Sequence, residues 1–233
     1  MNQPQFIDQI QNPATYGYDA STDVELIQTH ISFVILIDDY AFKIKKPVDF
    51  GFLDFSTLDK RKWYCEEELR LNKRLCPDIY DSVVSFSENE NANLSINGNG
   101  KIVEYAVKMH RFDQQKLMNE LLKKEKVTKA HIENIADILV DFYESQSPSE
   151  TINEYGSVES VKQNIMENFE QTVSVIDVTI SKEKYHFIKQ TNQDFFQHHK
   201  SVLEHRKKNG CIFDCHGDLH SGNIVIDEDD VCI

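Results

Sequence analysis

The sequence predicts an α+β fold in which an antiparallel sheet comes first and helices follow. Three observations carry this expectation. Apolar runs of strand length crowd residues 24–45 and are separated only by short polar turns. From residue 117 to residue 208 the pattern is helical throughout. Near the end, the polar stretch His216-Gly217-Asp218-Leu219-His220-Ser221-Gly222-Asn223 lies between the apolar runs Cys211-Ile212-Phe213 and Ile224-Val225-Ile226, as a loop between two strands does.

Taken in order, the segment up to Thr22 is polar with scattered apolar residues (Phe6, Ile7, Ile10) and reads as a short helix and a loop. Residues 24–28 and 33–37 are strands around the turn Thr29-His30-Ile31-Ser32. Asp38-Asp39 leads into a third strand, Tyr40-Ala41-Phe42-Lys43-Ile44-Lys45, stopped by Lys46-Pro47. The two-residue period of a strand puts Ala41, Lys43 and Lys45 on one face and Phe42 and Ile44 on the other. A Phe-rich connection follows, and then a helix over 58–75 that ends at Cys76-Pro77. On it Tyr64, Leu71 and Leu75 share a face, with Glu68 in the middle of the stripe and Glu67 at its edge. A carboxylate placed there is expensive to desolvate unless a cation meets it.

Residues 79–85 and 101–109 are strands flanking an Asn- and Gly-rich turn over 91–100. His110-Arg111-Phe112-Asp113 then leads into helices over 117–126, 128–145, 158–176 and 182–208. The second has Ile132, Ile135, Ala136, Leu139, Val140 and Tyr143 at core spacing, and Asn209-Gly210 caps the last. His198, His199 and His205 read as surface residues. A hairpin closes the chain, turning through Asp227-Glu228-Asp229-Asp230 into Val231-Cys232-Ile233.

Composition narrows the function. The 233 residues are 40% hydrophobic and 27% charged, ordinary for a soluble globular protein. No apolar run approaches the ~20 residues of a membrane span. The start, Met1-Asn2-Gln3-Pro4, lacks the basic and apolar regions of a secretory signal. Together these predict a cytoplasmic protein without membrane association, its five cysteines free thiols. A net charge of -14 argues against a nucleic-acid partner; it suits a neutral or cationic small-molecule substrate, and a solvated acidic surface accounts for it equally well.

The loop at 216–223 carries the chemistry. Phosphoryl transfer needs a carboxylate to accept the proton of the attacking hydroxyl and a nearby amide oxygen to hold magnesium on the phosphates. Asp218 fits the first role and Asn223 the second. Kinase catalytic loops read H-R-D-x-x-x-x-N, and this one reads H-G-D-L-H-S-G-N. The plainer alternative is a polar surface turn in which His216 and Asp218 act as local caps.

This loop resembles that of the aminoglycoside phosphotransferase-like kinases, where H-G-D replaces H-R-D. The resemblance extends over residues 24–233 through Thr29-His30-Ile31-Ser32, the run from Lys43 to Phe55, and Cys65-Glu66-Glu67-Glu68-Leu69-Arg70-Leu71-Asn72. It looks like a bacterial subgroup of which some members carry a P-loop kinase domain as well. The resemblance implies a two-lobed protein-kinase-like fold, with a small lobe over 1–109 and a partial large lobe over 110–233. It implies ATP and Mg2+ as cofactors and transfer of phosphate to a hydroxyl of a small molecule. Asp218 would be the base with His216 and His220 beside it, and Asn223 the metal ligand. Lys43 would hold the phosphates and pair with Glu68, which helical phase favours over Glu66, Glu67 being second choice. Ala41 would lie against the adenine, Met109 at the crossing to the large lobe, and Ser32 in the turn that contacts phosphate.

The sequence departs from that family in several places. No glycine-rich loop precedes Lys43, which leaves phosphate contact to backbone N–H groups and the hydroxyls of Thr29 or Ser32. Gly217 replaces the Arg that reads a phosphorylated loop in many protein kinases. The family's metal-binding Asp falls on the strand after the hairpin, and Asp227, Asp229 and Asp230 read as solvated turn residues. The expectation is the front part of a longer protein, inactive by itself, with apolar surface exposed on the helices at 128–145 and 182–208. The alternative is a catalytically inactive, nucleotide-binding kinase-like module.

Overall fold

The computed structural model describes residues 3–228 and 230–233, so Asp229 lies outside the described residues. Helix α1 (Gln3–Ile10) and a 3-10 turn at Pro13–Tyr16 precede strands β1 (Val24–Gln28), β2 (Ser32–Ile37) and β3 (Tyr40–Lys45). Helix α2 (Leu58–Asn72) leads to β4 (Tyr80–Glu88), β5 (Leu94–Ile96) and β6 (Lys101–His110). Then come α3 (Met118–Lys123), α4 (Lys129–Ser145), α5 (Glu150–Tyr155), α6 (Val158–Thr172), α7 (Lys182–Lys208), β7 (Val225–Asp227) and β8 (Asp230–Cys232). The α+β class is as expected. Strands β1–β6 form one antiparallel sheet in the order β1-β2-β3-β6-β4-β5, and β7 with β8 forms a hairpin. Strand β5 lies inside the Asn- and Gly-rich segment expected to be only a turn; Leu94 and Ile96 alternate there, and Leu94 is buried. The short helix α5 was not anticipated either.

The faces of β3 divide as the two-residue period requires. Phe42 and Ile44 enter a core with Phe33, Ile35, Ile37, Val84 and Phe86. The polar opening segment covers that core: Ile10 is fully buried, and Tyr16 packs on both Phe42 and Phe86. Ile10→Ala is expected to cost about 2–3 kcal/mol in urea unfolding, the lower part of the range for removing a buried aliphatic side chain. A loss below ~0.5 kcal/mol, the scale of a surface substitution, would show that the segment is not part of this core.

Two compact units divide the chain, residues 1–138 with 216–233, and residues 139–215. The terminal hairpin belongs with the sheet because it is bound to its neighbours: Met118 N donates to Ile224 O at 2.8 Å, Leu117 bridges to Val225, and Ile233 N donates to Leu75 O at 3.4 Å. A disulfide joins Cys76 to Cys232 across 156 residues of sequence, with the Cα atoms 4.8 Å apart. This corrects the expectation of five free thiols, since linear spacing gives no sign of which cysteines meet.

In the second unit the Tyr185 hydroxyl of α7 donates to Phe169 O of α6 at 2.7 Å, and their rings meet edge to face. Gly210, at φ +65°, ends α7 as its sequence suggests. On α4 the buried residues are Ile135 and Phe142, whereas Ile132, Val140 and Tyr143 are exposed. With Phe187, Ile188, Phe195 and Val202 exposed on α7, both helices present apolar surface, as expected. Among the described residues no helix is long and apolar enough to cross a membrane.

Candidate functional site

Helix α2 starts at the N-cap Thr57, whose hydroxyl accepts from Lys60 N at 3.3 Å. Its buried residues are Arg61 and Cys65, with Glu68 one turn further along the same face. The apolar stripe read from the sequence is thus not the most buried face. Two charged residues point inward, and each meets its opposite. Arg61 Nε lies 2.9 and 2.8 Å from the two oxygens of Glu104 on β6, and Arg61 Nη1 donates to Phe55 O at 2.9 Å. Glu68 takes Lys43 on one oxygen at 2.7 Å and Lys45 on the other at 2.5 Å. The Lys43–Glu68 pair is the one expected. Lys45 as its second partner was missed, although strand alternation had placed it on the correct face.

Burial alone would raise the Glu68 pKa, but the two lysines outweigh it and hold the carboxyl below its ordinary value. Burial would likewise depress Lys43, and Glu68 reverses the effect, leaving the ammonium above its usual pKa. For a carboxyl depressed in the folded state, the stabilisation is complete above the ordinary value of 4.5 and is lost as pH falls through the folded value. Glu68→Gln should therefore remove part of the stability lost between pH 5 and pH 3, read by urea unfolding at a series of pH values. An acid limb identical to wild type would count against an ionised Glu68.

The loop at 216–223 is shaped from within. Gly217 has φ +82°, a conformation that costs other residues roughly 1–2 kcal/mol. His216 Nδ1 accepts from Asp218 N at 3.2 Å, and His220 Nδ1 accepts from Gly222 N at 3.0 Å. Asn223 Nδ2 donates to Asp218 O at 3.0 Å and to Asp218 Oδ2 at 3.2 Å. The local-cap reading therefore holds for His216, and His220, which that reading did not include, braces the turn in the same way. The capping nitrogens are not free for proton transfer. His220 Nε2 stands 3.7 Å from Asp218 Oδ2. Burial holds His216 below the usual imidazole pKa.

Lys43, Glu68, Met109, His216, Asp218 and Asn223 open on one cavity of about 350 Å³. A second cavity, about 520 Å³, is lined by Ile27, Leu36, Ala41, Met109, His110 and Phe112. Met109 and Phe112 line both. Ser32 lines neither. It is 1% exposed, its hydroxyl has no hydrogen-bond partner, and its backbone is paired with Lys45 deep in the sheet. The hydroxyl expected to meet phosphate is thus walled off. That of Thr29 serves its own turn, accepting from Ser32 N at 2.9 Å.

A magnesium ion fits Asn223 in part. The amide nitrogen is engaged by Asp218, so the amide presents its oxygen as an acceptor. Asp227 and Asp230 are exposed, as expected, but lie in strands rather than in the turn: Asp227 ends β7 and pairs with Lys116 at 2.5 Å, and Asp230 begins β8. Among the described residues no group of three or more His, Cys, Asp or Glu side chains could hold a metal ion.

The chain is similar to proteins named as uncharacterized from Mycobacterium tuberculosis and Mycobacterium bovis, with 27% identity over 203 residues. The match covers 87% of this chain and 39% of each relative, so the chain spans about two fifths of their length. No family model matches the chain, and no solved structure matches it.

Proposed function

We propose that the protein is a kinase-like nucleotide-binding domain that directs phosphate from ATP to a hydroxyl of a small molecule. One observation carries the reading: Lys43 on the third strand, paired with Glu68 on the following helix, faces the same cavity as Asp218 and Asn223. Phosphoryl transfer in kinases uses a strand lysine held by a helix glutamate, a catalytic-loop Asp and an Asn. Four side chains from three distant segments, each of the right type, meet in one place.

In this reading the cavity lined by Ile27, Leu36, Ala41 and Met109 takes the adenine, and the backbone at Phe112 meets its polar edge, the N–H groups of His110 and Arg111 being engaged by Ile79 O and Asp39 O. Lys43 holds phosphate oxygens. Asp218, its side chain 80% exposed, accepts the proton of the incoming hydroxyl, and Asn223 fixes that carboxylate by donating to it. Magnesium, when bound to the phosphates, supplies charge neutralisation, and Asn223 is the ligand this chain offers. The competing reading, nucleotide binding without turnover, is favoured by the absence, among the described residues, of any group of three or more His, Cys, Asp or Glu side chains able to hold a metal ion.

Titration calorimetry with adenosine and with ATP, alongside an ATP-turnover assay with a panel of hydroxyl acceptors, separates these readings in a protein as long as the mycobacterial relatives. ATP binding with turnover supports the first and ATP binding alone the second. Absence of both would sink the nucleotide reading. Lys43→Ala and Glu68→Ala should each weaken ATP binding, with Lys43→Ala the larger loss. Combined, they should fall short of additivity, because both remove the same pair. An additive cycle would mean that the pair does not act on the ligand.

A further inference from the structure

Glu68 is shared by two lysines in unlike surroundings. The Lys45 side chain is 6% exposed and lies 5.1 Å from the centre of the Phe55 ring; that of Lys43 is 35% exposed and faces the cavity. The other groups nearby do not restore neutrality. Burial pushes the Cys65 thiol up to about 12, which keeps it uncharged, and burial raises the Tyr80 phenol too. Glu104 belongs to Arg61. Two ammonium groups against one carboxylate leave one positive charge in excess, and Lys43 is the lysine that can bring it to a ligand.

We propose that Lys45 is a positioning residue: it holds Glu68, and with it α2, so that Lys43 remains free to leave the carboxylate for an anion in the cavity. A glutamate with a single lysine partner would be stranded, buried and unpaired, whenever that lysine moved to a phosphate, a costly state. With Lys45 fixed on the second oxygen, Glu68 stays paired while Lys43 turns to the ligand. This inference rests on the nucleotide reading only for the identity of the anion, which would be the phosphate of a nucleotide.

The test is amine acylation of the 233-residue chain with acetic anhydride, each lysine being followed by peptide mass spectrometry. In the wild type Lys43 should react and Lys45 should be protected. In Lys45→Met, Lys43 becomes the sole partner of Glu68 and should react about threefold more slowly, the effect of roughly half a pKa unit on the free-amine fraction. Lys45→Arg should restore the wild-type rate, which a loss of packing alone would not predict. If Lys45→Met does not fold, Lys45→Gln is measured the same way. Unchanged or faster acylation of Lys43 would overturn the proposal. ATP added to the wild type distinguishes the two readings: failure of ATP to protect Lys43, with slower acylation in Lys45→Met, sinks the nucleotide reading and leaves the role of Lys45 standing.

Discussion

Asp218→Asn is expected to lower ATP-dependent turnover by ~10²–10⁴ while leaving ATP affinity nearly unchanged, the usual worth of a positioned general base. The substitution keeps the size of the side chain and its bond from Asn223, so the loop at 216–223 should retain its shape. What disappears is the carboxylate that the proposed mechanism needs to take the hydroxyl proton. Lys43 and Glu68 are bound to one another, and the Nδ1 atoms of His216 and His220 are engaged in the loop's own hydrogen bonds. The assay is turnover with and without acceptor in a protein as long as the mycobacterial relatives, with ATP affinity from titration. Turnover within a factor of ~3 of wild type would remove Asp218 from the mechanism.

Arg61→Met should be the most destabilising single change at the site, at about 3–5 kcal/mol near pH 8, because it strands Glu104 without a cation. Arg61 and Glu104 are 8% and 6% exposed, and the guanidinium also ties the carbonyl of Phe55 to α2. Burial already raises the Glu104 pKa above its ordinary value against the pull of Arg61. Without Arg61 the rise becomes larger, and the folded state then binds a proton that the unfolded state has released. Stability of the variant should therefore fall as pH rises above about 4.5, so the loss is smaller at pH 5 than at pH 8. Trp63, the one tryptophan of the chain, lies on the same helix as Arg61 and reports unfolding in urea. The double change Arg61→Met with Glu104→Leu should recover most of the loss, since two apolar side chains replace a buried pair at little cost. A loss under ~1 kcal/mol for Arg61→Met, constant with pH, would mean that Glu104 is not stranded.

Much of the sheet was legible because strand periodicity is local. Alternation alone sorted Phe42 and Ile44 from Lys43 and Lys45. The candidate site was legible where the residue type was unusual for its place: a glutamate within an apolar stripe announces a cation, and Lys43 meets it. Arg61 carries the same signal two turns earlier and was not among the expected pairs. An arginine near a helix start reads as solvated, and its partner Glu104 is 43 residues away on β6. The core spacing on α4 was read one step out of phase, since apolar residues surround much of that helix and only its neighbours decide which side is covered.

By itself the sequence determined the α+β class and the order of the main elements, and it singled out Lys43, Glu68, Asp218 and Asn223, because these follow from short-range spacing and side-chain type. Tertiary structure alone decided that Ser32 is sealed inside the sheet, that both histidines of the loop brace its turn, and that Glu68 serves two lysines. It also joined Cys76 to Cys232 and placed the final hairpin with the sheet. Each of those outcomes depends on which distant segments come within a few ångströms of one another, and linear spacing carries no information about that.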